Sequence, residues 1–141
     1  MPSTLSDEDF LAAFLATRLD AADFDHRGHL RAAWLLLQHH PLELAVEQCC
    51  TGIAALATRF GATSKYHRTT TEALVRLMDA SGAATLAWPE FQRANPGFFS
   101  DARALLARHY SPELLASADA RQRFLLPDRL PLPACHAAPM P

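Results

Sequence analysis

Lysine is almost absent from this chain of 141 residues: Lys65 is the only one, and the formal charges balance to -2 with a pI near 6.4. Arg18, Arg27, Arg31, Arg59, Arg68 and Arg76 are dispersed rather than run together. With no basic stripe to neutralise phosphates, nucleic acid is not expected as a partner. Long apolar runs are missing too. None approaches the roughly 18 to 20 residues that a helix needs to cross a bilayer, so no membrane is expected either. Cysteine is sparse. Cys49, Cys50 and Cys135 form an odd set without CxxC spacing, and the vicinal pair closes poorly on itself. A disulfide framework is not expected, and a reduced cytoplasmic protein is. The first residues, Met1 to Asp9, are acidic and lack the basic start of a secretory signal.

What is present points to one globular domain. Half the residues are apolar and a fifth are charged, and a chain of this length supports one real core but not two. The wealth of alanine and arginine suits a high-GC bacterial coding sequence. Nothing alternates like a strand for more than a few residues, whereas helical periodicity recurs throughout. The expected fold is all-α: a single compact domain of about six helices over residues 1–133, followed by a proline-rich ending whose last part, 134–141, is expected to be flexible.

Ser6, with Asp7, Glu8 and Asp9 behind it, reads as an N-cap with an acidic first turn. Phe10 and Phe14 carry that helix to about Leu19. Asp20 to Asp25 is a short connection. A second helix starts near Asp25 or His26 and ends at His39, with Leu30, Ala33, Trp34 and Leu37 on one stripe. Pro41 opens a third, whose apolar set runs from Leu42 through Cys49, Ile53 and Leu56 to Phe60, with Gly61 as its C-cap. This helix is expected to be central, with the second and fourth packed on it. The fourth has two readings. Either Thr69 and Glu72 form a capping box that leaves His67 just outside, or Ser64 caps it and His67, Thr71, Leu74 and Met78 share a face. The second accounts for the spacing through Met78 and is preferred. Shorter helices follow from Trp88, from Ser100-Asp101 and from Ser111-Pro112, with a further turn over 118–124.

The chemistry is concentrated in histidine. His26 and His29 lie three residues apart, and His67 follows 38 positions later beside Tyr66 and the hydroxyl run Thr69, Thr70, Thr71. One helical turn aims the first two in similar directions, beside an apolar stripe where an unpaired imidazole is costly. Three imidazoles binding through one nitrogen each leave positions open for water or substrate, as a catalytic zinc, copper or iron site requires. On spacing alone the plainer reading is favoured: HxxH arises often by chance among seven histidines, with His26 a helix-start residue, His29 a packed core residue and His67 a loop anchor. His39 and His40 read as imidazoles at a helix C-terminus, and His109 and His136 as surface residues. Cys49 reads as a small core residue. Glu47 and Glu72 are candidates for a carboxylate ligand, beside a stronger reading as solvated or capping residues. Trp34 and Trp88 are assigned to the core.

These residues form a longer pattern. Phe24, His26, His29, Leu30, Ala33 and Trp34 make one block, Tyr66, His67, Thr69 and Thr71 a second, and Pro127, Asp128, Pro131, Leu132 and Pro133 a third. In this the chain resembles a family of small bacterial helical proteins of uncharacterised activity, with an FxHxxHLxxAW, YHxTxT and PDxxPLP pattern. The resemblance implies that His26, His29 and His67 belong together, and that the ending up to Pro133 is an ordered part of the domain. It implies no activity.

The resulting expectation is a small metal-dependent enzyme acting on a small molecule. His26, His29 and His67 are the ligands, and Arg68, Thr69 and Thr71 stand on the substrate side. The alternatives are a non-enzymatic helical protein that binds or senses a metal or binds a partner, its histidines structural, and a metal-free enzyme using His67 as acid or base. No element shows a sustained heptad that would set an oligomeric state.

Overall fold

The computed structural model describes residues 4–133. Among the described residues there is no strand, and the chain forms nine α-helices rather than about six. The first four are α1 (Asp7–Leu15), α2 (His26–His39), α3 (Leu42–Arg59) and α4 (Arg68–Ala80). Five short ones follow: α5 (Trp88–Ala94), α6 (Gly97–Ser100), α7 (Ala102–Ala107), α8 (Pro112–Ala116) and α9 (Ala118–Gln122). The extra helices arise because caps punctuate the last third closely. The side chains of Asp101, Ser111 and Ser117 each accept from a backbone N–H three residues on, so every few residues one helix ends and another starts.

The long helices form as their sequence dictates. The Ser6 hydroxyl accepts from Asp9 N at 3.1 Å, and the Asp25 carboxylate accepts from Gly28 N at 2.8 Å. Each supplies an acceptor that an exposed helix start otherwise lacks. Helix α1 ends at Leu15, earlier than the expected Leu19. Thr17 turns into the left-handed region (φ 59), and Arg18 N donates back to Ala13 O at 2.7 Å. The same closing motif ends α3, where Gly61 (φ 68) takes the left-handed position and Ala62 N reaches Ala57 O.

Helix α3 packs against both α2 and α4, as its unbroken apolar face predicts. Phe10, Phe14, Leu36, Leu56 and Met78 are almost wholly buried between these helices and α1. Trp34 is buried and lies 5.1 Å from Trp88, ring centre to ring centre. Its indole N–H donates to Leu86 O at 2.9 Å. A second, smaller core gathers Ala73, Leu106, Tyr110 and Leu132. Leu132 is fully buried there, and Arg129 N donates to His109 O at 2.9 Å. The described part of the proline-rich ending is thus fastened to α4 and α7. The expected flexible stretch, 134–141, lies outside the described residues.

Candidate functional site

Where α2, α3 and α4 meet they leave a cavity of about 190 Å³. Helix α2 contributes His26, His29, Leu30 and Ala33. Helix α3 adds Cys49 and Ile53, and α4 adds Thr70, Thr71, Leu74, Val75 and Met78. The remaining wall, Lys65, Tyr66 and His67, comes from the short 3₁₀ turn at Thr63–Lys65 and the extended residues after it. The structure therefore brings all three sequence-selected histidines to one cavity. Among the described residues no aspartate or glutamate lines it.

The first turn of α2 is set by a close backbone approach. A Cβ on Gly28 would lie 2.0 Å from the carbonyl oxygen of Asp23, so only glycine lets the preceding 3₁₀ turn fold against the helix. That contact fixes where His26 and His29 begin. His26 Nε2 lies 2.7 Å from Phe98 O. Because a carbonyl only accepts, Nε2 carries a proton, which in a neutral ring leaves the lone pair on Nδ1. The His29 ring packs on Phe24, centroids 4.3 Å apart. Its Nε2 is buried without a hydrogen-bond partner. Burial, reinforced by the nearby His26 and opposed by Asp25, pushes the His29 imidazole down from 6.5 to about 4, so it is neutral at pH 7.

His67 is placed differently from the preferred expectation. It is not within α4, and Ser64 does not cap that helix: Ser64 sits in the 3₁₀ turn. His67 itself is the N-cap, in extended conformation, its Nδ1 accepting from Thr70 N at 3.2 Å. Its Nε2 donates to Leu115 O at 2.8 Å. The capping-box alternative was right to leave His67 outside the helix, though the cap is the imidazole and not Thr69. Both ring nitrogens are thus engaged, and neither is free to act as acid or base in this rotamer. Thr71 Oγ1 and, at longer range, Thr70 Oγ1 donate to His67 O, at 2.8 and 3.3 Å.

Of the substrate-side candidates only Thr71 reaches the cavity. Thr69 is fully buried elsewhere. Its hydroxyl donates to Arg123 O at 2.8 Å and accepts from Leu125 N at 3.1 Å, which ties the ending to α4. Arg68 turns toward Glu72, with Nη2 and Oε1 2.8 Å apart. Glu72 is likewise no ligand of this site, and it is neither solvated nor a capping residue. It is buried between Arg68 and Arg76, and Arg76 also takes both carboxylate oxygens of Glu43 at 2.9 Å. Glu47 is exposed, 3.7 Å from Arg68. The i−4 and i+4 arginines around Glu72 were visible in the sequence and signal this network.

Cys49 is buried, as expected of a core residue, and burial holds its thiol far above the ordinary range. Cys50 is pushed up to about 11, chiefly by burial, and hydrogen-bonds Tyr66. Neither is a ready nucleophile. Lys65, itself exposed, lines the cavity and was not singled out from the sequence, although its place next to Tyr66-His67 marks it. His109 Nδ1 pairs with Leu130 O at 2.9 Å, away from the cavity. Among the described residues no three histidine, cysteine or acidic side chains converge as a metal-binding group. No protein-family model, no curated protein and no solved structure matches this chain. What the site does is therefore read from its own residues.

Proposed function

We propose that this chain is a small metal-dependent enzyme acting on a small molecule in the α2–α3–α4 cavity, with His26, His29 and His67 as ligands of zinc, copper or iron. The observation that carries this is the partnerless, buried Nε2 of His29, in a cavity that His26 and His67 also line. A buried imidazole nitrogen without a partner is costly, and a ligand in the cavity removes that cost. The donor types fit, although the three rings do not converge in this structure and would have to turn toward one another to share an ion. His29 is neutral at pH 7, so no proton has to leave before it binds. His26 gives its N–H to a backbone carbonyl, the arrangement that orients metal-binding imidazoles.

His67 joins only by releasing Thr70 N. That bond is long, and a helix cap is worth about 1 kcal/mol. Losing that cap would weaken metal binding by about 1 kcal/mol, roughly fivefold. A bound ion of this kind supplies Lewis acidity or a nucleophilic water at neutral pH. Leu30, Ile53, Leu74 and Met78 give the cavity apolar walls, and Thr71 also lines it.

One observation favours a second reading, a non-enzymatic helical protein in which His67 is structural: both its ring nitrogens already have partners. Metal analysis of tag-free protein separates the two. Stoichiometric metal, lost in both His29→Ala and His67→Ala but kept in His109→Ala, is the expected result. Metal lost in His29→Ala alone assigns His67 to the cap. No bound metal, and no micromolar uptake of zinc, copper or iron on titration, rules out the metalloenzyme.

A further inference from the structure

We infer that residues 61–66 are a movable flap on the α2–α3–α4 cavity, latched shut by Arg121 from α9. The flap needs only the cavity, whatever that cavity takes. Its other walls are long helices with buried residues facing inward, Leu30, Cys49, Val75 and Met78 among them. The stretch that brings Lys65 and Tyr66 to the cavity is built differently: none of residues 60–68 is buried. Its backbone bonds are short-range, Lys65 N donating to Ala62 O at 2.8 Å and Tyr66 N to Thr63 O at 3.1 Å. Little burial and exposed local hydrogen bonds put a segment at the low end of local stability.

Both ends suit a hinge. Gly61 stands at φ 68, and a Cβ there would meet nothing within 4 Å, so no packing holds that residue. At the other end His67 keeps its bonds with Thr70 N and Leu115 O. The start of α4 therefore stays in place while the stretch before it swings.

The latch spans a long sequence distance from a firm mounting. Arg121 Nη1 donates to Ser64 O, 57 residues away, and at 3.3 Å to Tyr66 O. Ala120 beside it is fully buried. The Thr69 hydroxyl donates to Arg123 O and accepts from Leu125 N, which fastens the end of α9 to α4. Beneath the flap lies a thiol: the Tyr66 hydroxyl is hydrogen-bonded to Cys50, which is only 1% exposed. Swinging Tyr66 outward uncovers Cys50 and widens the cavity beside the exposed Lys65 and His26. One motion thus governs both entry to the cavity and access to the thiol.

Two readouts test this on chelator-treated protein carrying Cys135→Ser. One is amide hydrogen exchange. The other is the rate at which methyl methanethiosulfonate labels Cys50, assigned by peptide mass spectrometry. Arg121→Gln is expected to speed Cys50 labelling, and exchange of the Lys65 and Tyr66 amides, by about fivefold or more, the factor that a net loss of about 1 kcal/mol gives. Amides in the middle of α3 keep their wild-type rates. Arg123→Gln, which removes an ion pair local to α9, changes neither readout. Equal rates in Arg121→Gln and wild type overturn the inference. So does an acceleration that reaches the α3 amides equally, or wild-type labelling that occurs only through global unfolding. Since no metal is present, a failure here leaves the metal reading intact, and a failed metal analysis leaves the flap intact.

Discussion

Acid should destabilise this protein through His29 in a defined window. The imidazole titrates near 6.5 in the unfolded chain and at about 4 in the folded one. Between those values the unfolded state takes up a proton that the folded state refuses, so stability falls as pH drops from about 6.5 to 4 and levels off below. At about 1.4 kcal/mol per pH unit the whole window is worth up to about 3 kcal/mol, a large share of the 5 to 15 kcal/mol that holds a domain together. The physical source is burial of the ring against Phe24 with Nε2 shut away from water. Urea unfolding at pH 7, 6, 5 and 4 measures it, in chelator so that metal does not compete with the proton. Glu43 and Asp128, both held below the usual carboxylate range by partners, also lose stability at the acid end, so wild type alone is not diagnostic. The diagnostic quantity is the difference between wild type and His29→Gln. It should shrink by about 2 to 3 kcal/mol between pH 7 and pH 4. A difference that stays constant with pH would show that His29 is not held neutral by burial.

Three further outcomes follow from the packing. Glu72→Gln should cost about 3 to 5 kcal/mol in urea unfolding, because it leaves the buried Arg76 guanidinium short of one of its two carboxylates; a loss under 1 kcal/mol would mean that Glu43 alone suffices. Thr17→Gly should raise stability by up to about 1 kcal/mol, since a β-branched residue is strained at φ 59, and an unchanged or lower midpoint would contradict that strain. Gly52→Ala should destabilise by about 1 to 3 kcal/mol, since its Cβ would meet the Phe14 ring at 2.4 Å; a thermal melt matching wild type would refute so tight an α1–α3 contact.

The long helices were legible because each carries its own signals. The Ser6 and Asp25 caps, the apolar stripe of α3 and the Gly61 stop all act through neighbours within a few residues. The end of α1 was misjudged because a threonine occupies the left-handed position that usually identifies itself by glycine. The start of α4 was misjudged because a histidine performs the capping usually given to serine, threonine or aspartate. At the site, the three histidines were recognisable as a set. Thr69 and Arg68 were not recognisable as structural, since their partners, Arg123 O with Leu125 N and Glu72 with Glu47, depend on where the ending of the chain lies and which way α4 is turned.

Local sequence thus determined that this chain is helical and where its principal helices run, and it singled out His26, His29 and His67 as the candidate set. Capping, periodicity and side-chain type act within a turn or two of the backbone, and they need no knowledge of the fold. Tertiary structure alone decided what each imidazole has to work with. Phe98 O and Leu115 O lie 72 and 48 residues from the rings they hold, and the partnerless nitrogen of His29 exists only because three helices close around it. Hydrogen-bond supply and burial are properties of the packed interior, and no stretch of sequence carries them by itself.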